Sequence, residues 1–353
     1  MNKPIVSIWG FGPSYRNRVK LNILDAISMG YDNMMDYVIL TDYPEDFYEF
    51  AEQTGRIKAI INIHEVRKDY EWSKELEFIP PSATDPKAYG DEYKAALSNR
   101  KFFSYSVHRF SFPTIAKLGY SKVVFMDGDV KLRYDKIING EMTEEEFWNE
   151  FDTPLDSMKG CVYEFVGIKH DVFDQHGGTF GFKWSMAMGT GQSFGALQAC
   201  SLVLNELYKK YQIFKDPVIT KLELTEGPFR YYNFSSPEKL KHYFETWNEC
   251  IKMFYSDPIL QNYQQCGGYM LCDYMPVATV NKFHEMQVMN FPNNVYVRQI
   301  HYTDRYFLPL TGGAPGLGTH FTPGDSEEDF LEKNKELKII MDERNAWPHT
   351  EPY

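Results

Sequence analysis

Residues 122–130, Lys122-Val-Val-Phe-Met-Asp127-Gly-Asp129-Val130, constrain the fold more than any other stretch of the chain. Residues 123–126 are apolar without alternation, the pattern of a strand covered on both faces in the middle of a sheet. The run then stops in two carboxylates with one glycine between them. Open α/β sheets bind ligands outside the carboxyl ends of their strands, so Asp127 and Asp129 stand where a ligand belongs. Two hard oxygen donors flanking Gly128, where the backbone can come close, suit a divalent cation that keeps positions open for phosphate oxygens.

The flanking pattern supplies the rest of an α/β fold. Residues 4–10 are apolar and β-branched and run into Gly10-Phe11-Gly12-Pro13, a strand opening into a loop. Residues 15–29 then carry helical periodicity through Val19, Leu21, Ile23, Leu24, Ala26 and Ile27. Residues 37–40 predict a second strand, ending in Thr41-Asp42, and residues 58–66 a third. A helix is expected over 104–118, with Val107, Phe110 and Ile115 inward and Gly119 as its stop. Gly10-Phe-Gly12 lacks the third glycine of the dinucleotide fingerprint, which argues against a dehydrogenase. A short acidic helix starts near Thr143, and another is expected over 197–211.

With 353 residues, 43% of them hydrophobic and 16% aromatic, the chain can bury a substantial core. Its five cysteines (Cys161, Cys200, Cys250, Cys266, Cys272) show neither a CxxC pair nor zinc-like spacing, which points to reduced thiols and a cytoplasmic compartment. The first residues lack the apolar core of a secretory signal, and no run is long enough to span a bilayer. Net charge is −12, from 37 Lys and Arg against 49 Asp and Glu. An acidic surface opposes nucleic acid, so binding DNA would need a local basic strip such as Arg16, Arg18 and Lys20, or Lys209-Lys210.

Helix, short turn, buried strand and Asp-Gly-Asp in that order resembles the core of the GT-A fold glycosyltransferases. Their Asp-X-Asp motif holds Mn²⁺ or Mg²⁺ against the diphosphate of a nucleotide sugar. The phrase Tyr105-Ser-Val-His-Arg109-Phe-Ser-Phe-Pro113, taken with the Asp-Gly-Asp block, is similar to the glycogenin-type transferases. The resemblance implies a Rossmann-like mixed sheet with helices on both faces. It implies one catalytic domain over 1–310, with a nucleotide-binding half over 1–130 and a donor-sugar and acceptor half over 131–310. Residues 311–353 form a tail with an amphipathic helix over 327–344. By the same resemblance Asp127 and Asp129 ligate the metal, His301 in Ile300-His301-Tyr302 is the last metal ligand, and Arg109 approaches the phosphates or the sugar. Where that family continues with Gly and Lys-Pro-Trp this chain has Asp304-Arg305-Tyr306, and Arg305 takes the lysine's place at the β-phosphate. The donor implied is a UDP-sugar and the outcome retention of configuration.

Several residues carry two readings. Trp9, Phe11 and Tyr15 stack on a nucleotide base beside the Gly10 backbone, or Trp9 is core. Asp42 contacts the ribose, or caps the helix that opens at Pro44. Arg109 meets the donor, or is a helix-surface charge. Gly178-Thr179 and Gln192-Ser193 lie in small-residue stretches that offer a wall for sugar hydroxyls, or a glycine hinge. Asp273 is the acceptor-side carboxylate, as general base or as support for an oxocarbenium-like sugar, or a helix cap. The acceptor is a hydroxyl on a glycan, a protein or a small glycoside, favoured on charge over hydroxymethylated cytosine in DNA, the substrate of some phage sugar transferases. A nucleotidyltransferase and a non-catalytic glycan-binding protein on a transferase fold are the remaining alternatives.

Overall fold

The computed structural model describes residues 3–28, 35–68, 105–128, 130–132, 134–165, 190–215, 222–256, 275–290 and 296–298. Strand β1 (Ile5–Gly10) is buried along its whole length. Its side chains alternate between two cores, Ile5 and Trp9 on one face and Val6 and Ile8 on the other, as the two-residue repeat of a strand requires. Helix α1 (Gly12–Ser28) follows at once, so the segment expected to be a loop is helical from Gly12. Pro13 stands in that first turn, where a missing N–H deprives no carbonyl of a partner.

Strand β2 (Asp36–Thr41), helix α2 (Glu45–Thr54), strand β3 (Ile57–Asn62) and the short helix α3 (Ile63–Arg67) come next. The strand expected over 58–66 stops at Asn62, whose side chain accepts a hydrogen bond from the His64 N–H at 2.9 Å. That cap turns the chain into α3. The single helix expected over 104–118 is two pieces, a 3-10 helix Tyr105–Ser111 and helix α4 (Phe112–Lys117). Pro113 explains the break, because it has no N–H to donate back to the Arg109 carbonyl and its ring crowds that oxygen. Gly119 ends α4 with φ +84°, a conformation cheap only for glycine.

Strands β4 (Lys122–Asp127) and β5 (Val130–Leu132) precede helices α5 (Tyr134–Ile138) and α6 (Glu144–Asn149). Helix α6 opens as expected at Thr143, in a reciprocal capping box with Glu146. The second half adds strand β6 (Ser157–Phe165), helix α7 (Thr190–Lys210), strand β7 (Leu222–Asn233), helices α8 (Pro237–Ser256) and α9 (Met275–Phe283), and strands β8 (Gln287–Asn290) and β9 (Tyr296–Arg298). Helix α7 thus begins at Thr190 rather than near 197.

Seven strands form one sheet in the order β3-β2-β1-β4-β7-β6-β8, while β5 and β9 make a separate pair. Among the described strands of the large sheet only β7 runs against the rest, so the sheet is mixed. It draws β1 to β4 from residues 5–127 and β6 to β8 from residues 157–290. Helices cover both faces. Val19 and Ile23 of α1, Phe47 of α2 and Phe147 of α6 pack with Val6, Ile8, Val124 and Met126. On the other face Val107, Ile115 of α4, Leu204 of α7, Trp247 of α8 and Val280 of α9 pack with Val123 and Phe125. Among the described residues no helix is long and apolar enough to cross a membrane.

Candidate active site

The chain leaves β1 outward to β2 and β3 and then returns to place β4 on the other side of β1. The carboxyl ends of β1 and β4 therefore flank a topological switch point, the crevice where open α/β sheets bind ligands. Asp127 lies there as the last residue of β4. Its register partner on β1 is Trp9, so the two side chains leave the same face of adjacent strands. The Trp9 indole Nε1 donates to Asp127 Oδ1 at 2.8 Å. His108, from the 3-10 helix, brings Nε2 within 3.2 Å of the same oxygen. Asp127 is only 4% exposed, and a carboxylate so buried is tolerated because it is hydrogen-bonded. Packing fixes both partners. The His108 ring stacks on Phe125 at 5.1 Å between centroids and meets Trp9 edge-on at 5.8 Å.

Helix α1 grips the turn that follows. A Cβ at Gly128 would lie 3.1 Å from Val19 Cγ2 and 3.3 Å from the Trp9 carbonyl oxygen. Asn22 Nδ2, also on α1, donates to the Gly128 carbonyl at 3.3 Å and to that of Val130. Gly128 is thus demanded by the approach of α1. Beyond the turn, β5 pairs antiparallel with β9, setting Val130 opposite Arg298 and Leu132 opposite Tyr296. Strand β5 begins one residue after Asp129, and β9 ends three residues before His301.

The edge beside β2 differs from expectation. Asp42 does not cap α2, whose N-cap is Pro44 with no side-chain cap bond. Instead Asp42 Oδ1 accepts from Arg16 Nη1 at 2.9 Å, and Arg16 Nε pairs with Asp46. An ion pair that leaves the Asp42 side chain with no exposed surface takes the place of the cap. Arg16 and Arg18 are buried, at 3% and 1% exposure, and only Lys20 of the basic strip expected on α1 is partly exposed. Lys209 and Lys210 pair with Glu206 and Glu249.

Arg109 is fully buried and is no helix-surface charge. Its Nε donates to Asn248 Oδ1 of α8 at 2.8 Å, and its guanidinium carbon lies 4.2 Å from the Phe110 ring centre. Trp9 and Phe11 are both buried, with centroids 5.3 Å apart, so Trp9 is core and site at once. Gly10 accepts from Thr41 Oγ1 at 2.8 Å. Tyr15 lies in α1, and Gln192 and Ser193 lie in the first turn of α7 rather than in a loop before it. Asp129, Gly178, Thr179, Asp273, His301 and Arg305 fall outside the described residues.

His108, Asn248, Asn22 and the Arg16 to Asp42 pair escape the sequence. Only His108 has a local pointer, its place beside Arg109 in the phrase that carries the family resemblance. Among the described residues no three His, Cys, Asp or Glu side chains cluster as a metal group. Of the expected ligand set only Asp127 is among them. Burial pushes the Cys200 thiol up to about 12 and raises that of Cys250 well above its ordinary value. Neither is a thiolate nucleophile.

No protein-family model matches the chain, and no curated protein matches it in sequence. Solved structures that it resembles include the bifunctional glycosyltransferase WbbM in its apo form, at 9% identity and a TM-score of 0.37, covering 96% of this chain and 45% of WbbM. The chain therefore spans less than half the length of that protein. The galactosyltransferase LgtC, in complex with donor and acceptor sugar analogues, aligns at 11% identity and a TM-score of 0.33, covering 97% of this chain and 99% of LgtC. Core-mannan synthase A from Aspergillus fumigatus, in a form with Mn and GDP, aligns at 10% identity and a TM-score of 0.36, covering 96% of this chain and 85% of that one.

Proposed function

We propose that the chain is a metal-dependent glycosyltransferase that moves a sugar from a nucleotide-diphosphate sugar, a UDP-sugar, to an acceptor hydroxyl with retention at the anomeric carbon. The observation that carries it is the buried Asp127 carboxylate, held by Trp9 and His108 at the β1 and β4 switch point. An oxygen donor so placed fits Mn²⁺ or Mg²⁺, with Asp129 and His301 completing the protein ligands. Pairing of β5 with β9 supports that set, because the chain just after Asp129 and the chain just before His301 lie side by side. When bound, the ion supplies positive charge against the diphosphate as it leaves.

The protein's own groups do the rest. Gly128 lets a phosphate approach the backbone, and Arg305 adds a second cation for the diphosphate, while Arg109, fully buried and held by Asn248, acts on it through its charge from behind the site and not by contact. Gly178, Thr179, Gln192 and Ser193 take the sugar hydroxyls, and Asp273 faces the acceptor. Burial of Arg16 and Arg18 favours a neutral glycan, protein or glycoside acceptor over DNA. The test is UDP release from a panel of UDP-sugars with Mn²⁺, with neutral glycosides and hydroxymethylated DNA as parallel acceptors. Asp129→Ala is expected to lose turnover while keeping its thermal midpoint. Normal turnover in that variant would remove the metal assignment, and transfer to DNA alone would overturn the acceptor class.

A further inference from the structure

We infer that Trp9 is a positioning residue for the Asp127 carboxylate and not a stacking platform for a nucleotide base. The inference rests on the proposed metal site. Trp9 and Asp127 are direct register partners on parallel strands, and the indole N–H reaches Oδ1 at 2.8 Å. A carboxylate held this way cannot turn about its own Cβ–Cγ bond without giving up the indole, and His108 approaches the same oxygen at 3.2 Å. The backbone of Trp9 shapes the next residue as well, since its carbonyl oxygen lies 3.3 Å from where a Cβ at Gly128 would stand. One residue of β1 thereby sets both the rotamer of the carboxylate and the tightness of the turn after it. The ring has little to offer a base. It is 1% exposed and packed between Phe11 and the His108 edge. Partners that orient a ligating carboxylate contribute to metal affinity, and their loss typically weakens it by about 10- to 100-fold.

Trp9→Phe removes the N–H and keeps an aromatic ring in the core. Mn²⁺ binding to the full chain, without nucleotide or acceptor, is followed by the electron paramagnetic resonance signal of the free ion, with thermal unfolding alongside. The variant is expected to bind Mn²⁺ about tenfold more weakly or worse while remaining folded. A second measurement needs no Trp9 variant. With indole-labelled protein, Asp127→Asn should shift the Trp9 Nε1–H resonance upfield, as an amide oxygen replaces a charged acceptor. Equal Mn²⁺ affinity in wild type and Trp9→Phe would overturn the inference, as would an unmoved indole resonance in Asp127→Asn. Loss of UDP affinity in Trp9→Phe with Mn²⁺ affinity intact would return the ring to the base and overturn it too. A wild-type protein that binds no Mn²⁺ would instead bring down the metal site, and this inference with it.

Discussion

A single methyl group at Gly128 probes how tightly α1 closes on the Asp127 turn. In Gly128→Ala the new Cβ meets Val19 Cγ2 at 3.1 Å and the Trp9 carbonyl oxygen at 3.3 Å, with Arg18 Cβ at 3.8 Å. Carbon atoms prefer separations of about 3.5–4.0 Å, so the first contact is short by several tenths of an ångström. Val19 belongs to a helix packed into the core, and the Trp9 carbonyl to a strand paired on both sides, so neither yields cheaply. Overpacking of this kind costs about 1–3 kcal/mol. Urea unfolding followed by tryptophan fluorescence should show that loss as a lower midpoint with little change in slope. Val19→Ala added to Gly128→Ala removes the Cγ2 contact and leaves the carbonyl one, so the double variant should be less destabilised than the two singles together, by about 0.5 kcal/mol or more. Stability of Gly128→Ala within about 0.5 kcal/mol of wild type, as at an unconstrained surface position, would refute the close packing of α1 on this turn.

Three further outcomes are expected. Asp127→Asn keeps an acceptor for the Trp9 N–H but drops the charge, so stability should fall by only about 1 kcal/mol, while Mn²⁺-dependent UDP release should be lost; turnover at the wild-type rate would contradict it. Arg16→Met strips the cation from a buried Asp42 and should cost about 3–5 kcal/mol in urea unfolding, far more than removal of an exposed pair such as Lys209 with Glu206; a loss below about 1 kcal/mol would mean that the pair is solvent-screened. Burial, helped by the nearby His242 and Lys239 charges, lowers the His284 pKa to about 3. Because the unfolded chain takes up that proton near pH 6.5 and the native state does not, the group contributes stability above that pH and loses it as pH falls toward about 3, by about 2 kcal/mol near pH 5. His284→Gln, compared with wild type in urea at pH 7.5 and pH 5, should therefore show a shallower pH dependence, and equal slopes would refute the buried neutral imidazole.

Read from the sequence, the elements nearest the site were legible where the pattern was local. The apolar runs at 4–10, 37–40 and 123–126 became β1, β2 and β4, because a strand buried on both faces has little place for polar residues, and the one in these runs, Ser7, is hydrogen-bonded to Ser111. The helix start near Thr143 was legible because its signal is local, and the structure adds the capping box with Glu146 three residues on. Strand β7 was hidden, since Gly227 and Pro228 interrupt the run 222–233 and read as a break. The structure absorbs them in a register shift against β6, where pairing passes from Gly160 with Arg230 to Val162 with Thr225.

The class of fold and the strand end that carries Asp127 were thus readable from the order of residues alone, since both follow from which residues are apolar and where the run stops. What those residues face depends on the folded chain. That Trp9 is the register partner of Asp127, that Arg16 reaches Asp42 and not a phosphate, that Arg109 turns to Asn248, and that β9 returns to β5 all depend on strand order, register and helix docking. Hydrophobic pattern specifies burial without specifying a partner. Groups separated by 26 to 139 positions in the chain share no local signal, and only the closed sheet brings them within hydrogen-bond distance.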